Sequence, residues 1–374
     1  MMSRLRCRPT PEQELLLRAA LLQGEAAAAA WEEWRARVDI NGVDAGSYRL
    51  LPLLYANLRS LGAVSEPLLE KLKGIYRHTW YKNNLLLHRT AGLLRHFRET
   101  GVDVLVLKGA ALLALYYEDL GLRPMTDIDI LVRDERAGLA ASLLQGQGWR
   151  PKLNFETQRR SRHSVLFLDD SGQQLDLHWH LLRECRYPGA DREFWDNAVR
   201  VRIGGVESRT LGPADQLLHT CVHGYQWSDI PPIRWVADAL SIIAGSEGNL
   251  DWRCLVEQVR TRGLVLPVRE TLAYLRESFF APVPETALEA LWREPTSVAD
   301  RVIYAITTSP QPSFGYALVL WRSYSRATPG AGFLRRLMGF PGHIRDLWGL
   351  KRFWQLPGFA LGKIRERARN LRRQ

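Results

Sequence analysis

Two carboxylates one residue apart, Asp127 and Asp129, stand inside the apolar run Thr126-Asp127-Ile128-Asp129-Ile130-Leu131-Val132. An apolar, β-branched run of this length predicts a strand. Side chains alternate along a strand, so both carboxylates share one face while Ile128, Ile130 and Val132 share the other. Anions held that close repel and raise each other's pKa. The pair is costly unless it lies at a solvated strand end or a cation sits between its members. Magnesium held by one or two carboxylates together with substrate phosphates is the common remedy.

A second carboxylate-bearing strand follows at Leu175-Asp176-Leu177-His178-Trp179. Alternation puts Asp176 and His178 on one face and the leucines on the core side. A carboxylate in that position needs a partner, and a third metal ligand is the simplest one. His178 shares its face and is suited to orienting the carboxylate. Upstream, Leu107-Lys108-Gly109-Ala110 reads as a strand running into a helix. The amide groups of a helix N-terminus attract phosphate, and glycine lets a backbone come close. Taken alone, such a junction is a weak signal.

The surrounding pattern gives these motifs a frame. Residues from about Pro11 to Arg98 read as helical, starting with proline and acids in a first turn at Pro11-Glu12-Gln13-Glu14. Gly101 closes that region, and Val102 to Lys108 reads as a buried strand. A helix from Ala110 to Tyr117 and another from about Glu135 to Gln147 are expected, then strands at His163–Leu168 and Gln173–Trp179 joined by the turn Asp169-Asp170-Ser171-Gly172. From about Pro213 the chain is helical again. Thr328 to Gly332 and Pro310 to Ser313 read as loops. The expected organisation is an α+β protein with a small mixed-sheet core at 101–207. Helical regions flank it at 1–100 and 208–330, and a basic amphipathic tail covers 331–374.

Of the net charge of +11, Lys351 to Gln374 supplies +7, with eight basic residues against Glu366. A positive field spread over the whole molecule, as for a DNA-binding protein, is therefore not implied. Four scattered cysteines without Cys-x-x-Cys or zinc-ligand spacing fit a reduced, cytoplasmic protein. No apolar h-region follows the N-terminal arginines, which argues against a signal peptide, and runs such as Tyr316 to Trp321 are too short to span a bilayer. The tail interleaves arginines with Phe340, Leu347, Trp348, Phe353 and Trp354. Packing back on the domain, peripheral contact with a membrane surface and contact with RNA remain open for it.

Together, the three motifs in this order resemble the polymerase-β-like nucleotidyltransferase superfamily, and within it the family of uncharacterised nucleotidyltransferases. The resemblance runs through Leu107-Lys108-Gly109-Ala110, Arg123-Pro124-Met125-Thr126-Asp127-Ile128-Asp129 and Leu175-Asp176-Leu177-His178-Trp179, and extends to Arg234-Trp235-x-x-Asp238 and Asp251-Trp252. It implies that Asp127, Asp129 and Asp176 bind two Mg²⁺ ions, with Mn²⁺ as the natural substitute. It also implies that Gly109 and the amide of Ala110 hold the triphosphate of an NTP, and that an NMP passes to a hydroxyl of an unidentified acceptor, be it small molecule, protein or RNA. The superfamily usually carries Ser where this chain has Ala110, so a hydroxyl contact to phosphate is missing. Lys108 and Arg123 are candidates to supply charge there instead. Their structural alternatives are a capped carbonyl for Lys108 and an aspartate partner for Arg123. A rival from another class is an inactive relic of the fold, acting as a partner- or membrane-surface-binding module. His219 and His223, four apart, lack the Glu of a zinc-protease motif and read as structural. Arg234 and Asp238 read most simply as a helix ion pair.

Overall fold

The computed structural model describes residues 8–62, 66–225, 232–246, 248–309 and 313–371. Among the described residues, seven strands form one mixed sheet: β1 (Val104–Val106), β2 (Asp127–Val132), β3 (Arg150–Pro151), β4 (Ser164–Leu168), β5 (Gln174–His178), β6 (Val199–Ile203) and β7 (Val206–Thr210), in the order β3-β4-β5-β2-β1-β7-β6. β3–β4, β4–β5 and β6–β7 pair antiparallel, and β1 pairs with β7 in parallel. The expected strand positions hold for β2, β4 and β5. The first strand is shorter than expected: β1 ends at Val106, and Lys108 and Gly109 already belong to the helix Lys108–Tyr116. The reason is local, because Leu107 is the extended N-cap and Lys108 turns into the left-handed region at φ +44°. Similarly, the helix expected from Glu135 opens with a 3₁₀ turn, Asp134–Arg136, before Ala137–Gly146.

Sequence explains the ladder. β4 alternates half-buried and buried side chains, with Val165 and Phe167 inward opposite Leu177 and Leu175. Its hairpin partner is reached through a turn in which the Asp169 carboxylate accepts the amides of Ser171 (2.8 Å) and Gln173 (2.9 Å), with Gly172 at φ +79°. β6 and β7 were not anticipated. They are joined by Gly204 (φ +52°) and Gly205 (φ +82°), a two-residue connection that only glycine-like residues enter without strain.

Contacts divide the chain into two units, each assembled from three stretches. The first comprises Met1–His96, Leu105–Ile128 and Asn197–Pro310. Its core gathers Leu16, Leu17, Trp31, Trp34 and Leu54 from the N-terminal helices, and Leu217, Val236 and Ile242 from later ones. The second comprises Phe97–Val104, Asp129–Asp196 and Gln311–Gln374, with Phe97, Phe167, Leu175, Leu177, Trp179 and Phe194 at its centre. There the helix Phe333–Leu347 packs on Ser313–Ala327 and on the short helix Phe155–Arg159. Gln158 Nε2 donates to Asp346 O at 2.7 Å and Arg162 Nη2 to Leu347 O at 3.0 Å. Part of the tail region is thus docked, while Phe333, Leu334, Met338 and Trp354 remain exposed.

Candidate metal centre

β2 and β5 are neighbours in the sheet, and each brings polar side chains to one place. One oxygen each from Asp129 and Asp176 and one ring nitrogen of His178 all lie within 4.8 Å of one another. Among the described residues this is the one group of three that could hold a metal ion. Asp129 is 3% exposed and His178 2%, whereas the Asp176 side chain is 29% exposed. His178 Nε2 lies 3.3 Å from Asp129 Oδ1 and 4.0 Å from Asp176 Oδ2. Alternation produces the arrangement: Leu175 and Leu177 are fully buried on the opposite face, as are Ile128 and Ile130 of β2. His178 was expected only to orient a carboxylate, and it stands close enough to both to share a metal ion with them. Its Nδ1 is buried without a hydrogen-bond partner.

This donor set fits a divalent cation. Two carboxylates this close, one of them removed from water, are stabilised by positive charge between them, and oxygen-rich sets suit Mg²⁺ or Mn²⁺. Asp127, the first residue of β2, is half-buried and is not a member of the cluster. By strand alternation it faces the same way as Asp129.

In the first unit, the Lys108–Tyr116 helix starts at a strained residue, since a lysine at positive φ is uncommon and tends to occur where function requires it. Gly109 is buried, and a Cβ there would meet Met125 Sδ at 3.0 Å and Arg123 Nη1 at 3.3 Å. Its smallness therefore accommodates side chains packed over it. Ala110 is buried beside it.

Arg123 takes the structural alternative raised from sequence. It is 3% exposed, and its Nε and Nη2 donate to Asp238 Oδ1 (2.6 Å) and Oδ2 (2.8 Å). Tyr117 donates its hydroxyl to the same carboxylate at 2.7 Å. Burial opposes ionisation of Asp238, but the charge and hydrogen bonds of Arg123 outweigh it and hold the carboxyl below its ordinary value. Arg123 in turn is raised, with burial outweighed by Asp238 and a further pull from Asp127. The expected i, i+4 pair of Arg234 and Asp238 is a minor contact at 4.0 Å, because Arg123 fills the bidentate position and Arg234 Nη1 donates to Pro124 O at 2.6 Å. Burial, then the charge of Arg123, pushes Arg234 down to about 10. Arg123 Nη1 is left without a hydrogen bond.

Sequence reasoning missed Asn83. Fully buried on the long helix Glu66–Glu99, it donates to Leu120 O (2.6 Å) and Arg123 O (2.8 Å) and accepts from Met125 N (3.1 Å). It thereby fixes the loop that leads into β2. An asparagine inside a long helix was the available signal, since such a side chain must bond outside its own helix. Asp251, part of the resemblance, is an N-cap that accepts Cys254 N at 2.9 Å. The rings of His219 and His223 meet edge to face at 5.3 Å.

A mixed sheet thus carries clustered carboxylates on adjacent strands, downstream in sequence of a strand-to-helix turn. The family model described as "Uncharacterised nucleotidyltransferase" matches residues 45–280, and the chain belongs to that family. No curated protein matches it. Among solved structures, the antibiotic-resistance factor ANT(2'')-Ia is similar at 16% identity over 53% of this chain and 98% of its own, with a TM-score of 0.34. An antigenic nucleotidyltransferase-like protein from Paracoccidioides brasiliensis is similar at 16% identity over 57% of this chain and 95% of its own, with a TM-score of 0.33.

Proposed function

We propose that the chain transfers a nucleoside monophosphate from an NTP to a hydroxyl of an acceptor, releasing pyrophosphate, in a reaction that depends on Mg²⁺. The observation that carries this reading is the convergence of Asp129, Asp176 and His178 on adjacent strands, in a chain of a nucleotidyltransferase family. Asp129 and Asp176 hold the cation, and Asp127, two residues before Asp129 on the same strand face, completes the carboxylate set. Bound divalent ions would supply charge at the entering and leaving oxygens of the α-phosphorus. His178 positions Asp129 through Nε2. We assign Asp176 the acceptor side because it is the carboxylate of the cluster that water reaches. The acceptor oxygen bonds to the α-phosphorus, the bond to the bridging oxygen breaks, pyrophosphate leaves with that electron pair, and Asp176 takes the acceptor proton.

For the nucleotide we assign Lys108 and the amides of Gly109 and Ala110, at the start of a nine-residue helix. Arg123, buried and paired with Asp238, acts as a positioning residue that packs with Met125 over Gly109. The experiment is transfer of α-phosphate label from each NTP in Mg²⁺, with candidate small molecules, protein and RNA as acceptors. Wild type should label one class of acceptor. Asp129→Asn and Asp176→Asn should each slow it roughly a thousandfold, about 4 kcal/mol of barrier. Unchanged rates in both variants would remove the proposal.

A further inference from the structure

The second unit holds a cavity of about 430 Å³ whose wall includes Trp179 and His180, the two residues directly after β5. That volume is ordinary for a small-molecule site. Four arginines also line it: Arg159, Arg160, Arg162 and Arg186. Only two acids join them. Asp134 is already engaged by Arg159, through its carbonyl at 2.8 Å and its carboxylate at 3.4 Å, and Glu156 is exposed.

Among the described residues, the hydrogen-bond acceptors of the Arg162 and Arg186 guanidinium groups are neutral. Arg162 donates to Gln158 Oε1 and Leu347 O. Arg186 donates to Ser161 O and to Ser323 Oγ at 3.0 Å, and its Nε is buried with no hydrogen-bond partner. Both cations are thus oriented by uncharged groups, while Glu184 acts on Arg186 and Asp176 on Arg162 through charge without a hydrogen bond. Burial of uncompensated charge is costly, and an anion is what offsets it. The electrostatics agree. Burial, then the like charge of Arg183, with Arg162 adding, pushes Arg186 down to about 10 against a pull from Glu184. His343, also in the wall, is pushed down to about 4 by burial and then by the charge of Arg186. Burial lowers Arg162 as well, against pulls from Tyr316 and Asp176, so this cation feels a carboxylate of the metal cluster.

We propose that this cavity is an anion site for a phosphate-bearing small molecule and, resting on the nucleotidyl-transfer reading, that this molecule is the acceptor. The guanidinium groups would grip the phosphate by charge-assisted hydrogen bonds. Asp176, the half-buried carboxylate of the neighbouring cluster, would then meet a hydroxyl elsewhere on the same molecule.

The test is calorimetric titration of inorganic phosphate into the full chain in EDTA, so that no divalent ion contributes. Saturable binding, weakened about tenfold or more in Arg162→Gln, supports the site. Arg160 is exposed, so Arg160→Gln keeps the test informative should Arg162→Gln not fold, and it should also weaken binding. No binding by folded wild type, or equal binding by both variants, overturns the site. Repeating the titration with Mg²⁺ and a non-hydrolysable NTP analogue separates the two sources of phosphate. Undiminished binding supports an acceptor, and displacement by the nucleotide overturns that assignment. Phosphate that binds while no α-label is ever transferred would defeat the transfer reading and leave the anion site standing.

Discussion

A buried guanidinium and a buried carboxylate stabilise each other only while both are present. Asp238→Asn would leave Arg123 charged and unpaired, so a loss of about 3–5 kcal/mol in denaturant unfolding is expected. An Arg123→Met/Asp238→Leu double variant should lose clearly less than either single one, because no lone charge remains to be desolvated. This pairing was half legible. The sequence offered Asp238 the nearby Arg234, and i, i+4 spacing favoured it. The partner that wins comes from far along the chain and matches the carboxylate in bidentate fashion, which spacing cannot show. His343 gives a pH signature. Its folded pKa of about 4 lies below the ordinary 6.5, so the unfolded chain binds the proton more readily as pH falls. Stability from this group is complete above about pH 6.5 and is lost toward pH 4, amounting to at most about 3 kcal/mol. Unfolding followed between those pH values should be flatter in His343→Gln.

Strands were legible where alternation and turn chemistry coincided. β2 and β5 each carry a carboxylate at a period-two position between apolar neighbours, and the Asp169 turn ties β4 to β5. The hairpin of β6 and β7 carries an equal signal, in the alternation Val199-Arg200-Val201-Arg202-Ile203 and the Gly204-Gly205 pair. β3, two residues long, exists only through its pairing with β4 and has no pattern of its own. Gly204 is needed twice, for its positive φ and because a Cβ would stand 2.8 Å from Leu87 O and 2.9 Å from Ala91 Cβ. Gly204→Ala should therefore cost about 1–3 kcal/mol in thermal or denaturant unfolding. Gly205→Ala, with open space around it, should cost less.

Across the whole chain, composition marked helix-rich and strand-rich stretches, but not which of them pack together. The second unit joins Asp129–Asp196 to the chain's last stretch, and its arginine-lined cavity draws on both. No local motif announces such a site, because its charges become neighbours only through tertiary packing. The Asp129 and Asp176 half of the cluster was legible because strand alternation acts within each of two short motifs. The close approach of His178 to both carboxylates and the place of Asp127 outside the group depend instead on how β2 and β5 pair. The proposed function requires of the cluster affinity for a divalent cation. The direct measurement is Mn²⁺ titration of the folded chain at neutral pH, followed by electron paramagnetic resonance. Saturable binding that Mg²⁺ competes away, and that Asp129→Asn and Asp176→Asn each abolish, is the expected result. Binding of equal strength in those variants, or none in wild type, would contradict the account.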